Sequence, residues 1–74
     1  MDWTVYEYKD MKIEIDMPSG DARSGYEIQW RVRDPRSGAI LRDRIHEKRL
    51  PSELDAQNTA RSEAEHWVTT YISR

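Results

Sequence analysis

A chain of 74 residues with no cysteine excludes disulfides, a thiolate metal site and more than one domain. Charged residues make up 35% and mean hydropathy is −1.00, and no apolar run nears the roughly 20 residues of a bilayer span. The net charge of −2 hides an uneven spread: residues 1–22 carry −4, residues 23–49 carry +4 and residues 50–74 carry −2.

Such a composition also suits a disordered chain, but the hydrophobic pattern is too regular for one. It begins after Met1-Asp2-Trp3-Thr4, which lacks the basic start and apolar stretch of a signal peptide. With no cysteine either, the cytoplasm is the expected compartment. Trp3–Tyr8 is rich in β-formers and predicts a strand over 3–8. Met11, Ile13, Ile15 and Met17 alternate with Lys12, Glu14 and Asp16, the period of a half-buried strand over 11–17. Lys9-Asp10 is either a tight turn between these two or part of one bent strand from 3 to 17. Pro18-Ser19-Gly20-Asp21 ends the segment, and a loop runs to about Gly25.

Tyr26, Ile28, Trp30 and Val32 alternate with Glu27, Gln29, Arg31 and Arg33, giving a strand over 26–33. Asp34-Pro35-Arg36-Ser37-Gly38 is a turn signal, and a further strand follows over 39–46. Its frame is set with Leu41 and Ile45 inward, which puts Ile40, Arg42, Arg44 and His46 outside and leaves Asp43 facing inward on an edge strand. Short connections favour an antiparallel meander. Glu47–Pro51 is a connection. The helix starts at Ser52, with an S-x-x-D box to Asp55, or at Asp55 itself. The Asp55 start fits the stripe of Ala60, Ala64, Trp67, Val68, Tyr71 and Ile72 better and gives a helix over 55–72. The expected fold is α+β: an antiparallel meander of three strands, or four, with one C-terminal helix on one face. Its core is Ile15, Ile28, Trp30, Val32, Leu41, Ala64, Trp67 and Tyr71.

Chemistry is sparse. No G-x-S-x-G segment and no local grouping set a serine beside His46 or His66. Asp16 and Asp21 near Gly20 match no calcium loop, and Glu63 with His66 at i, i+3 lacks the second motif of a di-metal bundle. No glycine-rich phosphate loop is present. Catalytic and metal-ligating residues, cofactors and a membrane partner are therefore not expected. The candidate surface is basic. Arg31 and Arg33 lie opposite Trp30 and Val32, Arg42 and Arg44 share their face in the chosen frame, and Arg36 sits on the connecting turn. Five guanidinium groups on one face suit phosphate or carboxylate partners. Against this, strand pairing with residue numbers summing to 45 sets Glu14 opposite Arg31 and Ile15 opposite Trp30, so the sheet neutralises part of the patch itself.

Two resemblances follow from these residues. Trp3-Thr4-Val5-Tyr6-Glu7-Tyr8, Trp30-Arg31-Val32-Arg33, the Asp34–Gly38 turn and Ala60…Ala64…Trp67 resemble small bacterial proteins of unknown function with a β-β-β-α order. That resemblance implies the fold and no activity. Residues 26–72 are also similar to the arm-site DNA-binding domains of tyrosine-recombinase integrases, where the outward side chains of the sheet contact DNA. That similarity implies DNA-facing roles for Arg31, Arg33, Arg42 and Arg44. The expected function is a small, non-enzymatic binding or accessory module, acting through a protein partner or as a homodimer joined at a sheet edge. The alternative is a nucleic-acid-binding domain that uses Arg31, Arg33, Arg36, Arg42 and Arg44.

Overall fold

Alternating apolar residues produce the strands that their period predicts. The computed structural model describes residues 3–46 and 48–73. The dipeptide Met1-Asp2 of the leader reading, Glu47 of the expected connection and Arg74 lie outside the described residues. In chain order the elements are β1 (Thr4–Tyr8), β2 (Met11–Ile15), β3 (Ser19–Asp21), β4 (Gly25–Glu27), β5 (Gln29–Arg33), β6 (Ile40–Ile45) and α1 (Glu53–Ile72). The sheet order is β1-β2-β5-β6, antiparallel throughout, with β1 and β6 at its edges.

Residues 3–17 form a hairpin rather than one bent strand. Lys9 and Asp10 both have positive φ, 50° and 66°, the conformation of a two-residue turn that follows the twist of its strands. Glu14 pairs with Arg31 and Ile15 with Trp30, the register whose numbers sum to 45.

The expected loop from Pro18 to Gly25 is instead a second, two-stranded sheet of β3 and β4. Glycine permits it. A Cβ on Gly20 would fall 2.1 Å from the Gly25 carbonyl oxygen, and Gly20 has φ +139°. Asp21 closes the turn, its Oδ1 accepting from the N–H groups of Arg23 (2.9 Å) and Ser24 (2.7 Å). The hydrogen bond from Ser24 leads in holding the Asp21 carboxyl below its ordinary pKa. The expected strand over 26–33 is thereby split at Ile28, between β4 and β5.

The helix takes the earlier of its two expected starts rather than the favoured Asp55. Ser52 is its N-cap, with extended backbone and Oγ accepting from the Asp55 N–H at 3.1 Å. Ala56, Ala60, Ala64 and Val68 recur every four residues and are fully buried. They seat α1 on Ile13, Ile15, Ile28, Trp30 and Val32, and their small side chains allow close approach to the sheet. Leu41 and Trp67 are only partly buried against this core. Tyr71, expected inside, is 38% exposed and stacks on Trp67 at 4.9 Å between ring centroids. Among the described residues no helix is long and apolar enough to cross a membrane.

Candidate functional site

The five arginines of the candidate surface are not on one face. Trp30 pairs with Arg44 and Val32 with Arg42, and residues directly opposite in an antiparallel pair share a face. Arg42 and Arg44 therefore stand on the helix side, while Asp43 and Ile45 are outside. This reverses the expected frame of the strand, and the cause is a β-bulge. The register slips between Val32 and Arg33, so that Arg33 faces Ile40 and Leu41 is left without an opposite number. An extra residue breaks the two-residue period. Leu41 and Arg42 both turn towards the helix, and Ile45 is left 53% exposed on the far side.

On the outer face the arginines are occupied. Arg31 Nε is paired with Glu14 Oε1, and Arg33 Nε lies 3.4 Å from Glu14 Oε2. Arg33 Nη1 also donates to the Gly38 carbonyl at 2.6 Å. The Arg31 guanidinium lies over the Trp3 ring, 4.0 Å from its centroid. Glu14 is 8% exposed. Burial opposes its ionisation, but the hydrogen bonds and charges of Arg31 and Arg33 outweigh that and hold its carboxyl below the usual range. Arg36 is exposed on its turn, where Asp34 Oδ1 accepts from its backbone N–H at 2.9 Å.

The arrangement on the helix side is different. Trp30, Arg42, Arg44, Glu63, His66, Trp67 and Thr70 line an open groove of about 340 Å³ between β6 and the C-terminal half of α1. Glu63 joins it to a hydrogen-bonded set. Glu63 Oε1 accepts from the buried Trp30 indole at 3.1 Å, and Glu63 Oε2 lies 2.7 Å from His46 Nδ1. Arg42 and Arg44 have no ion-pair partner among the described residues. A second depression of about 500 Å³, lined by Gln29, Arg42, Asp43, Arg44 and Ile45, lies against the same strand. Among the described residues no further strand lies beyond β6 in the sheet.

The backbone of β6 is in phase for a partner. His46 donates its N–H to the Ile28 carbonyl at 2.9 Å, and hydrogen-bonded pairs recur every second residue in an antiparallel ladder. His46, Arg44 and Arg42 thus turn their backbone groups towards β5. Asp43 and Ile45 turn theirs to the open edge.

Protein-family models, curated proteins and solved structures were compared with the chain, and none matched.

Sequence reading missed Glu63 and His46 as a pair. His46 was expected outside, and only the reversed phase of β6 brings it to the helix. Seventeen residues separate the two, and no motif links them. Their i, i+3 neighbour His66 lines the groove, yet among the described residues no three acidic or histidine side chains converge on a metal position. At the other edge of the sheet, β1 and its turn are tied by side chains to the helix. The Tyr6 hydroxyl donates to Glu65 at 2.9 Å, and Lys9 Nζ donates to Thr69 at 3.2 Å. Burial, followed by the Glu65 hydrogen bond and charge, pushes the Tyr6 phenol well above its ordinary value.

Proposed function

We propose that this chain is a non-catalytic binding module that takes up an extended segment of a protein partner as a fifth strand beside β6. The observation that carries the reading is the open edge of β6, whose outward backbone groups on Asp43 and Ile45 lie beside two concavities. Added strands gain affinity from main-chain hydrogen bonds and selectivity from alternate side chains. The lack of cysteine is in keeping with work in the cytoplasm.

A second copy of the chain is a poor occupant of this edge in the registers centred on residues 42–44. Two β6 strands related by a two-fold axis pair antiparallel with their helices on the same side, so each residue meets one of its own face. Centring the axis on Arg42 or Arg44 sets guanidinium against guanidinium. Centring it on Asp43 sets carboxylate against carboxylate and Arg42 against Arg44. Like charges directly opposite are destabilising, and edge charges of this kind guard against self-pairing. The nucleic-acid reading draws less support, because it needs one face of free arginines and Arg31 and Arg33 are tied to Glu14.

The test is to select peptides from a displayed random eight-residue library on the full chain and to map them by amide shifts. Changes centred on Asp43 and Ile45 are expected. Binders that map elsewhere, or no binders, would overturn the reading. Flat spectra with duplex DNA at low salt are expected in the same series.

A further inference from the structure

We infer that the segment taken up at β6 is acidic at two alternate positions and not acidic between them, an inference that rests on the strand-addition reading above. Arg42 and Arg44 are two residues apart on the helix-bearing face. A fifth strand running in either direction places its residues i and i+2 beside them. Both guanidiniums stand at the open groove without an ion-pair partner among the described residues. Each is free to close on a carboxylate through paired N–H donors.

The groove has one carboxylate of its own, Glu63, whose oxygens face Trp30 Nε1 at 3.1 Å and His46 Nδ1 at 2.7 Å. Among the described residues it makes no ion pair with Arg42 or Arg44. The position between the two acids has the opposite requirement. It lies on the outer face against Asp43, whose Oδ1 accepts from Gln29 Nε2 at 2.7 Å. A third acid there would meet like charge, whereas a neutral or basic residue would not. The pattern recognised is thus an extended acid–other–acid triplet, and a continuous acidic run is disfavoured.

The peptide selection is repeated on the Arg42→Glu/Arg44→Glu double variant, after its far-UV CD and melting curve show that it folds. Two blocked peptides, TVETEVT and TVKTKVT, are titrated into both proteins. Two cross-strand pairs that change from opposite to like charge are expected to separate the peptides by about tenfold in Kd, with the glutamate peptide tighter on the native chain. The double variant reverses the order, and selected sequences change from acidic to basic at the paired positions. Should the double variant not fold, Arg42→Gln/Arg44→Gln replaces it and is expected to abolish the difference. Equal binding of the two peptides, or an unchanged preference in the variants, would overturn the inference. Shifts at Asp43 and Ile45 without acidic preference would leave strand addition standing and remove only the acidic pattern. The absence of shifts at β6 with every peptide would remove both.

Discussion

Glu14 holds two arginines, and replacing it with Gln keeps its shape while removing the charge they share. Breaking one side of a fully buried ion pair costs about 3–5 kcal/mol. Here the Arg31 and Arg33 side chains keep 23% and 27% of their exposure. Water recovers part of that loss, and the expected cost is about 2–3 kcal/mol. In a domain of this size that lowers Tm by roughly 10–20 °C. The effect has a pH signature. Folding lowers the Glu14 pKa from 4.5, so its contribution is complete above the unfolded value and fades as pH falls through the folded one. Urea melts of wild type and Glu14→Gln from pH 7 downward should show a gap at pH 7 that narrows below pH 4.5, where wild-type Glu14 also becomes neutral. A gap under about 0.5 kcal/mol at pH 7, the range of an ordinary surface change, would refute the account of the outer face. So would a full gap that does not change with pH.

Trp30→Ala removes the largest core ring together with its hydrogen bond to Glu63, and should cost about 3–5 kcal/mol in a urea melt. Ser52→Ala deletes the N-cap acceptor of α1 and should cost about 1 kcal/mol, with slight loss of helical CD signal. Lys9→Asn combined with Asp10→Gly suits the two positive φ angles and should raise stability by about 1 kcal/mol, read as a higher Tm.

The central strands were legible because their buried apolar residues, Ile13, Ile15, Trp30 and Val32, lie on one face, and apolar burial on one face is what writes a two-residue period. The helix was legible from Ala60 and Ala64 onward. Its first turn was marked by the Ser52–Asp55 box, but the apolar stripe favoured a later start, because Leu54 is 66% exposed and Ala56 stands among polar residues. The β3–β4 pair left no pattern at all. Its strands are three residues each, and glycine geometry rather than burial holds them. The phase of β6 was misread because a bulge changes parity and the sequence carries no mark of it. That one residue moved Arg42, Arg44 and His46 to the helix side and split the expected arginine patch. The outer-face pairing of Glu14 with Arg31 was legible, since it needs only the register of two well-patterned strands.

Tyr26 has neighbours on both sides. It lies opposite Gly20 in β3; its N–H donates to the Leu50 carbonyl at 2.8 Å and its carbonyl accepts from the Leu50 N–H at 2.9 Å. Arg49 adds a side-chain clasp, with Nη1 donating to the Gly25 carbonyl at 3.2 Å and Nη2 to Glu27 at 2.8 Å. The chain just ahead of Ser52 is thus tied to a strand more than twenty residues earlier. Closing that loop carries an entropic cost. Native-state hydrogen exchange should accordingly find the amides of Tyr26 and Leu50 opening together, as one cooperative unit that includes the first turn of α1.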